Sequence, residues 1–438
     1  MNIYVFLDSA LSLLFTLLSV VLCHFVIFAI IGLFKRKTYP KATEQLKYGV
    51  IIPARNEEAV VTHLIESIQK CDYPQDKLHI FVIAHNCTDR TAEVARAAGA
   101  TVYEYNNPNE CTMGYAFRYL FKQIKKYHGI GNYDGFFLFN ADNVLDRRFF
   151  EKMNDAFVAC ERKCVITSFR NSKNFGKNII SAMYGLYFAF GCRMESRGRT
   201  VLGCSTRVQG TGYLINSDIV REEWKYVTLT EDWEFTVDQI LNGTPIRYCD
   251  EAMFYDEQPT DLRIMWRQRL RWAKGHLLVC TTRFKDILRG LFTPKKKGGC
   301  AHKFSLYDIG SNIFPSLIIT CFLNILQHVL YLCSPLLGQD IASVYGDKLP
   351  EILNGFLASY VLMLLAAITL YVAERKRIPR VKIGVKVGSC LLMPFFYMIS
   401  FFLAFGALFT KNVGWKPIPH EDTTTFEHLN EADGAERR

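Results

Sequence analysis

The chain has 438 residues, half of them hydrophobic, with 33 phenylalanines, which leaves room for a catalytic-size domain together with apolar spans. That hydrophobic share is high for a purely soluble protein and low for one lying wholly in a bilayer. The net charge of +10 suits anionic lipid or an anionic substrate, and the basic residues cluster beside apolar runs without interleaving with aromatics along one face, which argues against a nucleic-acid binder.

Residues 3 to 34 are almost wholly apolar, with Asp8 and His24 as the strongly polar exceptions. The run is too long for a signal peptide's apolar core and lacks a basic head. It predicts one transmembrane helix in an N-terminal unit of residues 1–34. Lys35, Arg36, Lys37 and Lys41 follow at once, which puts that end in the cytosol.

From 48 to 284, short apolar runs alternate with helix-length segments. The pattern predicts strands at 48–53, 78–84, 101–104 and 136–139, and helices at 58–70, 88–98, 113–126 and 147–159. Such alternation predicts an α/β domain: a mixed, mostly parallel sheet with helices on both faces. Ligands in such sheets gather at the C-terminal ends of strands. Three polar clusters fall there: Pro53 to Glu58, His85 to Asp89, and Asn140 to Asn143. Any one of them reads equally well as a turn and helix cap; all three at strand ends make that reading weaker. Fourteen cysteines are scattered through the chain, and the closest pair, Cys160 and Cys164, lacks the partners of a zinc site. Reduced thiols, and hence a cytosolic domain, are expected.

The stretch from Thr228 to Gly275 carries the most chemistry. Glu231 and Asp232 stand just before a helix-like run. An acidic pair there is most often a cap and dipole complement, but a carboxylate can also take a proton from a hydroxyl nucleophile. Further on, Gln268, Arg271 and Trp272 fall at i, i+3 and i+4 and share one helix face. An amide, a guanidinium and an indole together suit an anionic group beside a sugar or base ring.

After residue 300 the apolar runs return. Residues 314–332, 353–372 and 387–409 are each long enough to span a bilayer, within a 304–410 region that opens with an interfacial helix over 304–313. The basic loops Lys295 to Lys297 and Arg375 to Lys382 are assigned to the cytosol, which sends the end of the last span, with Trp415 to His420, to the far side. The tail, 421–438, is polar and reads as disordered.

These pieces resemble the membrane-bound, inverting family 2 glycosyltransferases, the group that includes synthases of cellulose, chitin, hyaluronan and poly-N-acetylglucosamine. The resemblance implies a GT-A (Rossmann-like) fold, a UDP-sugar donor and a divalent metal, Mg or Mn. It makes Pro53, Asn56 and Glu57 uridine-side residues, with His85 and Asn140 also facing the donor. Asp142 matches the second carboxylate of an Asp-x-Asp metal motif. Thr230, Glu231 and Asp232 match a Thr-Glu-Asp motif, so Asp232 inherits the general-base role with Glu231 beside it. Gln268, Arg271 and Trp272 match Gln-x-x-Arg-Trp, where the first two hold the diphosphate and the indole meets the acceptor. Gly210, Thr211 and Gly212 resemble the small-residue loop near the acceptor.

Three donor-side positions depart from that pattern. His85 and Asn140 stand where the family has aspartates, and Met113 where it has a lysine. The expected function is transfer of a hexose or N-acetylhexosamine from a UDP-sugar to a growing β-linked polysaccharide, with inversion, by a plasma-membrane protein with a cytosolic catalytic domain. Expected partners are the donor, a polysaccharide or glycolipid acceptor and membrane lipid, with accessory export subunits as candidates. The alternatives are a non-processive transferase acting on a lipid carrier, and a catalytically degenerate synthase subunit, which the three departures favour.

Overall fold

The computed structural model describes residues 3–293, 299–379, 381–411, 420 and 422–429. The basic run 295–297, Arg380, Trp415 and residues 430–438 lie outside them. Strands β1 (Tyr48–Ala54), β2 (Leu78–His85), β3 (Thr101–Tyr105) and β4 (Gly135–Leu138) form where the apolar runs place them. β1 and β4 are apolar on both sides because both faces of the sheet are covered there: Val50, Ile51 and Ile52 of β1, and Phe136, Phe137 and Leu138 of β4, are fully buried.

Four more strands complete the sheet: β5 (Val144–Leu145), β6 (Val165–Ser172), β7 (Tyr213–Asn216) and β8 (Ile246–Asp256). The order is β3-β2-β1-β4-β7-β6-β8-β5. β3, β2, β1 and β4 are mutually parallel, as are β6 and β8, while β7 and β5 run antiparallel to their neighbours. This is the mixed, mostly parallel sheet expected. Its parallel register sets the loops after β1, β2 and β4 side by side at one edge.

Helices Val61–Gln69 and Phe149–Ala159 cover one face, over Val50, Ile52 and Phe137. Helices Met113–Tyr127 and Glu231–Leu241 cover the other, over Ile51, Phe81 and Phe136. A third apolar cluster joins helix Ile179–Phe190 to the apolar helices Ile341–Ala373 and Ile383–Phe409.

Among the described residues, three helices are long and apolar enough to cross a membrane: Ile3–Phe34, with a turn at Cys23, Ile341–Ala373 and Ile383–Phe409. The span expected over 314–332 is helix Ser316–Leu332, bent by 53° from Gly299–Ile313. The break falls at Pro315, which lacks an N–H and disfavours a helical residue before it.

Two expectations about the C-terminal part do not hold. Helix Ile383–Phe409 does not lead away from the sheet unit but lies along it: Arg269 Nη1 donates to Phe396 O at 2.7 Å and Lys274 Nζ to Ala407 O at 3.0 Å. His420 reaches Glu57 on the sheet unit, so it is not on the far side. Counting basic loops misses this because it reads charge beside the apolar runs and not the tertiary contacts of the residues beyond them. Nor are residues 422–429 a disordered tail. Phe426 is buried in the sheet core and Lys173 Nζ donates to Asp422 O at 2.7 Å; one well-placed aromatic anchors a segment whose composition is polar.

Candidate active site

The C-terminal sheet edge and two helices enclose one cavity. Pro53, Glu57 and His85 line it from the loops after β1 and β2, and Asn140 and Asp142 from the loop after β4. Glu231 enters from the start of helix Glu231–Leu241, and Gln268 and Arg271 from helix Leu262–Phe292. A second cavity shares Glu231, Gln268 and Arg271 and adds Asp232, Gly210 and Trp272. A crevice beyond Trp272 and His276 continues to Phe314, Pro315 and Leu403 among the apolar helices. The predicted donor-side and acceptor-side residues thus meet in two joined chambers.

The approach of the two helices depends on Gly275. A Cβ there would lie 2.2 Å from Thr230 Cγ2, far inside van der Waals contact. Only glycine lets the Gln-x-x-Arg-Trp helix pack onto the turn that presents Glu231 and Asp232. The amide of Gln268 is oriented by Tyr184, whose hydroxyl donates to Gln268 Oε1 at 2.8 Å. That leaves the amide N–H groups for a ligand. Tyr184 and Phe188 also stand edge-on to Trp272.

Burial raises both carboxyls of the acidic pair, Glu231 to about 8, with the Asp232 charge adding to it. Asp232 is raised by burial and held back by a backbone N–H of Trp233 and by Arg271. Burial thus holds a proton on the pair into the neutral range, with Glu231 raised the further. A carboxylate whose pKa is raised by burial is a stronger base and is suited to accept a proton once ionised.

His85 is neutral, because burial lowers its imidazole. Its Nε2 faces Glu110 O at 2.6 Å, so that nitrogen carries the proton. Nδ1 is left as an acceptor, the capacity an aspartate would have supplied. Asn140 holds its loop through its backbone N–H to Thr211 Oγ1 at 2.9 Å, while its side-chain Oδ1 is buried without a partner. Asp142 accepts from Glu257 N at 2.8 Å and lines the same cavity.

Three predicted residues lie beside the chambers and do not line them. Asn56 is exposed and accepts from Thr88 N at 2.7 Å, bracing the loop after β2. Thr211 bonds Asn143 Oδ1 at 2.5 Å, and Gly212 packs beneath Phe254. They shape the site from behind.

Sequence reasoning missed His420, which lines the donor-side cavity together with Met113. Its Nδ1 lies 3.0 Å from both Glu57 oxygens. Burial alone would lower its imidazole, but Asp142, Glu57 and Glu257 raise it to about 9. A cation therefore stands in the chamber where Met113 supplies none. No periodicity or motif marks a histidine beyond the last apolar helix. Arg55 and Arg267 also line this cavity, and Arg55 was legible within the Pro53 to Glu58 cluster.

Among the described residues, no group of three or more His, Cys, Asp or Glu side chains is arranged to hold a metal by itself. A hard divalent ion such as Mg or Mn commonly takes one or two carboxylates and completes its shell with substrate phosphates and water. Asp142 and the unpartnered Oδ1 of Asn140 fit that role.

A mixed sheet with carboxylates at this edge and a basic helix closing it defines a GT-A glycosyltransferase fold. The same fold is seen in the solved mannosyltransferase PcManGT from Pyrobaculum calidifontis, in complex with GDP-Man and Mn2+, with a TM-score of 0.52 at 13% identity, covering 92% of this chain and 99% of that one. Residues 45–275 match the family described as "Glycosyltransferase like family 2", and the chain belongs to that family. Its relatives include the probable glycosyltransferase YdaM of Bacillus subtilis, 24% identical over 56% of this chain and 59% of that protein. They include the beta-monoglucosyldiacylglycerol synthase of a Synechocystis strain, 23% identical over 52% of this chain and 47% of that protein. The poly-beta-1,6-N-acetyl-D-glucosamine synthase of Staphylococcus aureus is 22% identical over 59% of this chain and 58% of that protein. The chain thus spans about half to three fifths of the length of these relatives.

Proposed function

We propose that this protein transfers a hexose or N-acetylhexosamine from a UDP-sugar onto a growing β-linked polysaccharide, inverting the anomeric carbon. One observation carries the reading: Asp232, Gln268, Arg271 and Trp272 line one chamber, and Gln268 and Arg271 also line the other. The acceptor hydroxyl gives its proton to Asp232 Oδ, and its oxygen attacks the anomeric carbon from the side opposite the departing UDP. The bond from that carbon to the diphosphate oxygen breaks, and its electron pair leaves with UDP. Gln268 N–H groups, the Arg271 guanidinium and the His420 imidazolium face the diphosphate. Glu231, protonated, limits charge beside the base. Trp272 stacks against the acceptor sugar. His85 Nδ1 accepts from the base edge, with Pro53 and Glu57 beside it. Asp142 and Asn140 Oδ1 would hold a divalent ion, which when bound supplies charge neutralisation at the leaving diphosphate.

The sheet unit faces the cytosol in this reading, because the ends of helices Ile3–Phe34 and Ile341–Ala373 that meet it are flanked by Lys35, Arg36, Arg375 and Lys376. The relationship to the poly-N-acetylglucosamine synthase supports a polysaccharide acceptor. A lipid-linked acceptor is the second reading, favoured by the apolar lining of the crevice past Trp272, at Phe314 and Leu403. The test is UDP release by the full chain in native-like membranes with a panel of UDP-sugars, followed by sizing of the product. Release with one donor and a long product is expected. Silence with every donor contradicts the enzymatic reading and favours a degenerate subunit.

A further inference from the structure

A basic pocket lies outside the two chambers, where two apolar helices end. It is an open cavity of about 550 Å³ built from four separate chain segments. Lys35 and Arg36 come from the end of helix His24–Phe34, and Arg375, Lys376 and Arg377 from the end of helix Ile341–Ala373. Arg193 and Arg197 come from the sheet unit. Against these seven cations stand two carboxylates, Asp250 and Glu374, so five positive charges are in excess.

The carboxylates are fully engaged. Asp250 accepts from Arg197 Nη2 at 2.7 Å and from Arg377 Nη2 at 3.0 Å, and Glu374 takes Arg193 at 2.5 Å. Among the described residues Lys35, Arg375 and Lys376 form no ion pair, and all three are exposed. Arg193 Nε is buried without a partner. The guanidinium of Arg193 also fixes the level of the pocket: Nη2 donates to Leu33 O at 3.0 Å and Nη1 to Ala373 O at 3.3 Å. Both helices thus end at the same height against the sheet unit. Immediately before those ends, Phe34 and Val372 are exposed at 78% and 61%, an apolar surface that only hydrocarbon would cover if the helices cross a membrane.

We propose that this pocket binds the phosphate of an anionic phospholipid headgroup, with the acyl chains lying along Phe34 and Val372. Guanidinium and ammonium groups in excess are what a phosphate diester requires. The exposed apolar flank distinguishes a lipid from a free phosphate, since a soluble ion has no use for it. The bound headgroup would hold the sheet unit at a set height on the membrane.

The test uses the full chain in nanodiscs of phosphatidylcholine, with and without phosphatidylglycerol. Lipid retained by the protein is counted by native mass spectrometry and the thermal midpoint is recorded. The parent is expected to retain phosphatidylglycerol over phosphatidylcholine and to melt higher in its presence. Each cation at an anionic surface contributes roughly fivefold in affinity, so Lys35→Ser/Arg375→Ser/Lys376→Ser should weaken that retention on the order of a hundredfold. The charge-keeping variant Lys35→Arg/Arg375→Lys/Lys376→Arg should keep it. Glycerol phosphate added to phosphatidylcholine nanodiscs should not raise the midpoint. Equal retention of the two lipids by the parent, undiminished selectivity in the serine variant, or a full shift from glycerol phosphate alone would each overturn the assignment.

Discussion

Replacing Gly275 by alanine tests whether the two functional helices must touch. The new methyl would sit 2.2 Å from Thr230 Cγ2 and 2.4 Å from Thr230 Oγ1. Ordinary carbon contact is about 3.5 Å, so helix Leu262–Phe292 must retreat by roughly 1.3 Å or Thr230 must turn away. Overpacking of this kind costs on the order of 1–3 kcal/mol in stability. The catalytic cost is larger, because Gln268 and Arg271 ride on the retreating helix while Glu231 and Asp232 stay with Thr230. A misplacement of about 1 Å costs on the order of a hundredfold in rate. UDP release at saturating donor, with the thermal midpoint as a control for folding, should show kcat falling about that far while the protein stays folded. Adding Thr230→Ala removes the two closest atoms and leaves Thr230 Cβ at 2.8 Å, so the double variant should recover part of the rate. A Gly275→Ala protein with near-normal kcat would refute the claim that this contact aligns the site.

His420→Gln should raise the donor KM by about tenfold, since a charge-assisted hydrogen bond to the diphosphate is lost; a KM unchanged for the donor would remove His420 from the site. The pH profile of kcat/KM should rise with an apparent pKa above the usual carboxylate range, as Asp232, raised by burial, ionises. It should fall again near pH 8, where Glu231 loses its proton and adds a second negative charge. Glu231→Gln should move the alkaline fall from near pH 8 up toward pH 9, where His420 loses its proton, and leave the acid limb in place; a fall that stays near pH 8 would assign it elsewhere. Asp250→Asn leaves Arg197 and Arg377 buried against a neutral amide and should cost roughly 3–5 kcal/mol, read as a lower thermal midpoint. An unchanged midpoint would show the cluster to be dispensable for folding.

β1, β2 and β4 were legible because their central residues are apolar on both faces, as in Val50 to Ile52. β6 and β8 were not, and the reason is chemical. β6 buries Thr167, Ser168, Asn171 and Ser172, and β8 buries Asp250 and Asp256. These polar groups are tolerated because partners arrive from remote segments, such as Arg170 Nε at 2.7 Å from Asp256. Hydrophobic patterning cannot see a partner supplied from elsewhere. The site divides in the same way. Gln268, Arg271 and Trp272 lie at helical spacing, and Asp232 stands beside Glu231 at a helix start, so both groups could be read from local order. His420 belongs to the chamber through its contact with Glu57, 363 residues away in sequence, a fact of tertiary packing. Asn56, Thr211 and Gly212 carry the right motif letters, yet the side chains of Asn56 and Thr211 brace loops behind the chambers and Gly212 packs beneath Phe254.

The central claim is that Asp232 takes the proton from the acceptor, and the most direct measurement compares donor binding with turnover in Asp232→Asn. Isothermal binding of the productive UDP-sugar and its UDP-release rate are measured on the same preparation in native-like membranes. The account predicts donor affinity within a few-fold of the parent and turnover lower by on the order of a hundredfold to ten-thousandfold, the usual cost of losing a general base. Turnover close to that of the parent, with the donor still bound, would contradict it.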